Sequence, residues 1–330
     1  MTIPQSFSAF LTAEADTGAG VQEVSSETLE ADELQLRVHF SSVNFKDALA
    51  SRPDGKVARK TPLIPGIDLV GEVLADAGGF SKGELVISHG YDLGVAHHGG
   101  FAEYARIDPA WALPLPQGLS PRESMIFGTA GFTAALSIMQ LEERGLTPKD
   151  GPVLVTGATG GVGSAAVAML AARGYTVTAS TGKKETAKGW LMALGAAEVI
   201  DRVEVPEKPK PLNSQNWAAA VDSVGGAQLA QVLSEISYGG AAAISGVTAG
   251  PKFPGSVFPH ILRGVAILGT DSVQCDIARR REVWEQVAGR LRPAKIDDLC
   301  ADEISLDGVS EALEQIFAGQ MTGRTVVRLA

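Results

Sequence analysis

The chain has 330 residues, 45% hydrophobic and 20% charged, the make-up of an ordinary soluble globular protein with length for about two domains. A formal net charge of -10 argues against a broad nucleic-acid-binding surface. The two cysteines, Cys275 and Cys300, form no C-x-x-C and have no matching histidine pair, so neither a disulfide framework nor a structural zinc lobe is expected.

Residues 1 to about 125 read as β-rich. Glu33–Phe40 alternates polar and apolar side chains, as a half-buried strand does. Asp68–Leu74, Glu84–Ser88 and Gly99–Ile107 are further strand candidates, with Pro and Gly between them. The pattern suits a barrel or a sandwich. Arg52, Lys56, Arg59 and Lys60 form a basic run read as solvated loop charge, with guidance of an anionic substrate as the other reading. His97 and His98, without further ligands, read as surface-loop histidines, with a proton relay as the other reading.

Ser120-Pro121-Arg122-Glu123 has the N-cap, first-position Pro and third-position Glu of a helix start. Gly128–Leu136 is rich in small residues, for close packing or for approach of a cofactor. From Gly151 onward, strands alternate with helices. The strand candidates are Val153–Thr156, Thr176–Ala179, Glu198–Ile200, Ala218–Asp222, Ala241–Ser245 and Ala266–Gly269. Single-helix crossovers between them predict a doubly wound parallel sheet. A helix over Ala278–Leu291 and a strand near Thr325–Leu329 follow. The chain opens without a signal-like segment and shows no run of eighteen apolar residues, so a cytoplasmic protein off the membrane is expected.

The most informative stretch is Pro152–Ala166. Four β-favouring residues enter a turn containing Gly157, Gly160, Gly161 and Gly163, and an Ala-rich helix leaves it. Strand, tight turn and helix in that order aim backbone N–H groups and the positive helix end at one point, where a diphosphate fits. The spacing is a variant of G-x-G-x-x-G, and its context makes it informative. At the end of the second strand, NAD-binding chains usually carry a carboxylate for the ribose. Here the chain reads Ala179-Ser180-Thr181-Gly182-Lys183-Lys184. Hydroxyls and lysines favour NADP, because a lysine pairs with the 2′-phosphate that a carboxylate would repel. Either lysine could instead be a solvated helix-start residue. Ser223 and Gly246 end the next two strands and are candidate walls of the nicotinamide half, whereas Asp222 reads as structural.

Taken in order, Ser42-Val43-Asn44-Phe45-Lys46-Asp47, Pro65–Gly71, Gly99–Tyr104, Gly128–Ala134 and Thr156–Gly163 resemble the zinc-independent medium-chain dehydrogenase/reductases, in their quinone-oxidoreductase-like group. Ile261–Val265, Gly269–Val273 and Gly323–Val327 are similar to the narrower branch that contains acrylyl-CoA reductases. The resemblance covers essentially the whole chain. It implies an α/β protein: a GroES-like β-barrel domain over residues 1–125 with 291–330, and a Rossmann doubly wound parallel sheet over 126–290 that binds NADPH. It implies that Thr159, Gly160, Gly161 and Val162 hold the diphosphate. Thr181, Gly182 and Lys183, with Ser180 adjacent, match the 2′-phosphate segment. Ser223 and Ile267, Leu268 and Gly269 match positions near the nicotinamide. Phe45 and Arg324 match positions lining the cofactor or substrate side. A homodimer is the expectation from relatives.

The chain departs from its relatives in two places. Many have Tyr where this chain has Phe45, which has no hydroxyl to donate. Zinc alcohol dehydrogenases carry a metal-binding Cys near Asn44–Asp47 and His-Glu after the Pro-Gly motif, where this chain reads Ile67-Asp68, so no metal is expected. Without a Lewis acid, reduction of an activated C=C bond is the simpler chemistry. The expected substrate is a short enoyl-CoA, acryloyl-CoA going to propanoyl-CoA. A quinone or general enone is the alternative, and an NADPH-binding sensor of weak activity is another. Asn44 is the candidate for orienting substrate or cofactor, against a turn-forming role. Asp47 reads as a helix-start carboxylate.

Overall fold

Alternating side chains build the first third of the chain into strands, and continuous apolar runs build the middle into a second, different sheet. The computed structural model describes residues 2–12, 19–31 and 33–329. In chain order the elements are β1 (Ser6–Leu11), β2 (Gly20–Ser25), β3 (Leu34–Ser42), α1 (Phe45–Ala50), β4 (Asp68–Val73), β5 (Leu85–His89), β6 (Tyr104–Ile107) and β7 (Ala112–Pro114). Then come α2 (Pro121–Glu143), β8 (Val153–Thr156), α3 (Gly161–Ala172), β9 (Val177–Ser180), α4 (Lys184–Ala193), β10 (Glu198–Ile200), β11 (Trp217–Asp222) and α5 (Gly226–Glu235). The chain ends with β12 (Ile236–Ile244), α6 (Phe258–Arg263), β13 (Ala266–Gly269), α7 (Ile277–Ala288), β14 (Cys300–Ser305), α8 (Val309–Phe317) and β15 (Arg324–Arg328).

Contacts divide the chain into two units. The first takes in the described residues of Met1–Thr129, Val273–Trp284 and Cys300–Ala330. Its main sheet runs β14-β15-β3-β4-β5-β7, with β6 also on β3 and a separate β1–β2 hairpin. β3 alternates as expected: Leu34, Leu36 and Val38 are fully buried beside Leu69, Val73 and Val86. Each such side chain contributes about 1.5–3 kcal/mol of burial. Gly99–Phe101, expected as strand, is instead a backbone-to-backbone packing segment. Gly99, Gly100 and Phe101 donate to the carbonyls of Ile64, Gly66 and Pro65 at 2.7, 2.7 and 3.0 Å. A Cβ on Gly99 or Gly100 would run into the carbonyl oxygen of Gly66 or Asp68.

Val273–Trp284, expected with the dinucleotide-binding part, belongs to this first unit. Buried Arg280 donates to His89 O at 2.8 Å, and Trp284 Nε1 donates to His89 Nε2 at 2.8 Å. Burial and the Arg280 charge hold His89 well below the usual histidine range.

The second unit is Ala130–Ser272 with Glu285–Leu299. Its six strands are all parallel, in the order β10-β9-β8-β11-β12-β13. Numbered within the unit, that is 3-2-1-4-5-6, the order of two mononucleotide-binding halves. Every residue of β8 and β9 is buried, because helices cover both faces. By length and composition α2 could cross a membrane, although no run of eighteen apolar residues was expected. Of its apolar window, 89% is buried inside the protein, and the helix is broken at Gly128.

Candidate functional site

The turn after β8 is shaped by close approach. Gly157 has φ +60°, and a Cβ there would stand 2.6 Å from Ser223 Oγ. Gly163, in the first turn of α3, lies so near the strand end that a Cβ would stand 2.7 Å from Ala158 Cα. Only glycine at both positions lets the helix start directly on the strand. The N-cap of α3 is Gly160, which offers no side chain to the first-turn amides of Gly161, Val162 and Gly163. Those N–H groups and the positive helix end are open to an anion.

The end of β9 lies beside this turn. Thr159 Oγ1 and Thr181 Oγ1 are 3.0 Å apart, and the Lys183 amide donates to Thr181 Oγ1 at 3.1 Å. Ser180 is buried, and its hydroxyl donates to Asp201 O at 3.0 Å, towards β10. Lys184 pairs with Asp201 at 3.0 Å. Lys183 is half-buried, and desolvation lowers its pKa. The guanidinium of Arg202 lies on Gly182, where a Cβ would stand 2.7 Å from Arg202 Cζ. Arg202 was not among the residues singled out from sequence. Its place follows from the pairing of Ile200 with Ser180 across β10 and β9, which sequence pattern alone does not give.

Ser223 and Gly246 meet at the carboxyl ends of β11 and β12. A Cβ on Gly246 would run into the Ser223 carbonyl. Ile267 and Leu268 are half-buried and Gly269 is exposed on β13, the next strand. Asp222 is fully buried and accepts from Thr156 Oγ1 at 2.6 Å and the Gly225 amide at 2.8 Å. It joins two strand ends as a structural group, and burial raises its pKa.

In the first unit, the candidates Asn44 and Arg324 belong to a buried polar network around Asp68. Asp68 Oδ2 accepts from Ser42 Oγ at 2.5 Å and Asn44 Nδ2 at 2.7 Å. Its Oδ1 accepts from the Thr129 amide at 3.0 Å and from the Thr129 hydroxyl. Arg324 lies 3.7 Å from Asp68 Oδ2 and donates to Ser42 Oγ, Val43 O, Ile126 O and Asn44 Oδ1 at 2.7 to 3.3 Å. Asn44 Nδ2 also donates to Ser42 O at 3.1 Å, so both amide hydrogens are engaged inside the protein. Gly128, at φ +51°, passes so close that a Cβ would meet Asp68 Oδ2 and Ser42 Oγ. Asp47 caps α1 by accepting from the Asn44 amide at 2.8 Å, and it also accepts from the Gly66 and Ile67 amides at 3.1 and 2.9 Å. Burial, and then the Asp68 carboxylate, push the Asp47 pKa up to about 7.

Phe45, 39% exposed, opens α1 and stacks on Phe317. His97 and His98 are buried rather than on a surface loop. His97 packs edge-on against Trp111, and His98 Nδ1 accepts from the Ile64 amide at 3.0 Å. Desolvation drops the His98 pKa to about 4, so it is neutral and structural. Three residues of the basic run are paired: Arg52 with Glu314, Arg59 with Asp92 and Lys60 with Glu30.

Residues 30–117 match the family described as alcohol dehydrogenase GroES-like domain, and residues 161–291 match zinc-binding dehydrogenase. A putative quinone oxidoreductase, YhfP of Bacillus subtilis, is 47% identical over 95% of this chain and 96% of its own. Its crystal structure with NAD bound superposes with a TM-score of 0.95 at 46% identity, covering 99% of this chain and all of that one. The acrylyl-CoA reductase AcuI of Ruegeria pomeroyi is 44% identical over 94% of each chain. The yhdH oxidoreductase of Salmonella enterica, solved in complex with NADP, gives a TM-score of 0.94 at 43% identity over 98% of this chain and 100% of that one.

The residues of this chain do not fit a catalytic zinc. Where zinc members carry His-Glu, this chain has the buried, apolar Ile67 and then Asp68, whose carboxylate is engaged with Ser42, Asn44, Thr129 and Arg324. Among the described residues no three His, Cys, Asp or Glu side chains are grouped to hold a metal ion.

Asp47 sets a pH signature. A carboxyl that ionises near 3.8 when unfolded and near 7 when folded stabilises the fold fully below about 4, and that contribution is lost as pH rises to about 7. Asp47→Asn cannot take up this proton. Its stability deficit in urea unfolding is therefore expected to be largest near pH 4.5 and to narrow by a few kcal/mol towards pH 7. A deficit constant over that window would show Asp47 ionised throughout in the native state.

Proposed function

Because the chain belongs to the medium-chain dehydrogenase/reductases, in their quinone-oxidoreductase-like group, we propose that it is an NADPH-dependent reductase of the activated C=C bond of a short enoyl-CoA, with acryloyl-CoA as the substrate of choice. The observation that carries the cofactor assignment is the Arg202 guanidinium on Gly182, beside Thr181 and Lys183 and next to the uncapped start of α3. Two cations and two threonine hydroxyls suit a 2′-phosphate, and no carboxylate stands at the end of β9 to favour a free ribose hydroxyl. Solved relatives carry NAD in one case and NADP in another, so local charge has to decide.

When bound, NADPH supplies the hydride. The amides of Gly161 and Val162, with Thr159 and Gly160, hold the diphosphate, and Lys183 and Arg202 hold the 2′-phosphate. Ser223, Gly246, Ile267, Leu268 and Gly269 border the nicotinamide. Ser180 braces the turn through Asp201. Phe45 lines the substrate side, and Asn44 and Arg324 position it by fixing the start of α1. Reduction of an enoyl thioester at its β-carbon would put enolate charge on the thioester oxygen and leave the α-carbon to be protonated. The acrylyl-CoA reductase relative supports the thioester substrate, and YhfP supports the quinone alternative. NADPH oxidation followed with acryloyl-CoA, crotonyl-CoA and a small quinone separates them. Turnover with acryloyl-CoA is expected, and turnover with the quinone alone would overturn the thioester reading.

Arg202→Glu and Lys183→Glu are each expected to raise the Kd for NADPH about 10- to 100-fold, the worth of a charge-assisted hydrogen bond, with little change for NADH. Equal losses for both cofactors would contradict the 2′-phosphate assignment.

The partner in this reading is a second copy of the chain. Among the described residues β13 has a neighbour on one side only, and its own sequence puts no charge or proline on the open edge. Thr270 donates inward to Ile244, so by alternation the backbone of Ile267 faces outward. Val257, Phe258, Ile261 and Leu262 are exposed in and just before nearby α6. An outward edge and an apolar flank are self-complementary about a two-fold axis. Sedimentation is expected to give a dimer that Ile267→Pro splits. A monomeric wild type would exclude it.

A further inference from the structure

α1 and α8 pack through Ala48, Val309, Ala312 and Leu313, all buried in one core cluster. At one end of this contact two large rings stay out of the core. Phe45 and Phe317 are each 39% exposed, although burial of either would be worth about 1.5–3 kcal/mol. Single exposed apolar residues are ordinary. These two are stacked on one another, their planes 5° apart and their centroids 6.2 Å apart. The stack continues, with the Arg52 guanidinium 4.1 Å from the Phe317 ring centre. Arg52 is steadied by Glu314 at 2.9 and 3.1 Å, an exposed ion pair of the kind worth at most about 1 kcal/mol. An incoming phosphate can share or displace it.

Just beyond, the chain turns sharply. The Gly55 amide donates to Arg52 O at 3.1 Å, and a Cβ on Gly55 would run into Leu49 O. This turn fixes Lys56 at φ +54°, exposed, and no carboxylate pairs with it among the described residues. Of the four residues in the basic run, Arg59 and Lys60 are occupied at Asp92 and Glu30. Arg52, held by the exposed carboxylates of Glu314 and Asp54 and set against the Phe317 ring, and Lys56 are the two cations this surface offers an anion. The order along this surface is therefore aromatic ring, aromatic ring, cation, cation.

We propose that this surface is the track for coenzyme A: the pantetheine arm lies along Phe45 and Phe317, and Arg52 and Lys56 meet its phosphates. The inference rests on the enoyl-CoA reading above and names how that substrate is gripped. The arm consists of methylenes and flat amides, which cover aromatic faces without needing buried polar partners. Its far end is polyanionic, and guanidinium and ammonium groups bind phosphate by charge-assisted hydrogen bonds. On a protein of net charge -10, a local pair of cations also sets where a polyanion arrives.

Three substrates of decreasing length test it: acryloyl-CoA, acryloyl-pantetheine without the nucleotide, and the acryloyl thioester of N-acetylcysteamine without most of the arm. The double variant Arg52→Met/Lys56→Met is expected to lower kcat/KM for acryloyl-CoA about tenfold and to leave acryloyl-pantetheine unchanged. Phe317→Ala is expected to lower kcat/KM for both longer thioesters and spare the shortest. Phe317→Leu, which keeps apolar bulk but no ring, should show the same pattern more weakly. NADPH affinity, read by fluorescence, should be unchanged in all variants, which separates a track from a general disturbance. Equal effects on all three thioesters, or none on any, would overturn the proposal while leaving the enoyl-CoA reading intact. A wild type that reduces a quinone but none of the thioesters overturns that reading, and the track with it.

Discussion

The first unit depends on one buried ion pair. Asp68 and Arg324 are both out of solvent, and neither is tolerable there alone, since stranding one member of such a pair costs about 3–5 kcal/mol. Between them they use Ser42, Asn44, Thr129 and the carbonyls of Val43 and Ile126. With the pair itself, these groups come from four distant parts of the chain. The pair therefore fixes the end of β3, the start of α1, the break in α2 and the last strand relative to one another. That explains why Gly128 abandons helical geometry: a Cβ would enter the space the carboxylate and guanidinium occupy. It also gives α1 a fixed starting point, and with it the exposed ring of Phe45.

The second unit reaches its geometry by a different constraint. β8 and β9 are buried on both faces, and the polar side chains Thr156, Ser180 and Asp222 stand at strand ends. There glycines set the spacing. Gly157, Gly163, Gly182 and Gly246 each lie within contact of another backbone or side chain, so a strand end, a helix start and a guanidinium can approach more closely than side chains would allow. The cost is a local surface of bare backbone, which is what phosphate oxygens require.

How far the sequence could be read follows from the range of the signals. β8 and β11 were legible because burial on both faces writes a continuous apolar run. β3 was legible because burial on one face writes alternation. α1 has six residues, too few for a helical period to show. α8 carries its own signal in the sequence, with Val309, Ala312, Leu313 and Ile316 at helical spacing. The glycine turn is a local signal and was read locally. Arg202 and the burial of His97 and His98 depend on which strands and loops become neighbours. Trp111 and Glu30 come from distant parts of the chain to enclose the histidines. Asn44 shows the limit from the other side: its type suggested a free amide, and only the network shows that its hydrogens are engaged.

The position of Arg324 near the far end of the sequence has a consequence for how the molecule is made. A growing chain exposes Asp68, Asn44 and Asp47 long before residues 300–328 exist. Until then the first unit lacks β14, β15 and the cation its buried carboxylate needs. Ala130–Ser272 is continuous and contains all six strands of the second sheet. Synthesis would therefore complete the nucleotide-binding sheet first and leave the earlier-made unit waiting, an inversion of the usual N-to-C order of domain folding. The first unit closes last, around a single arginine.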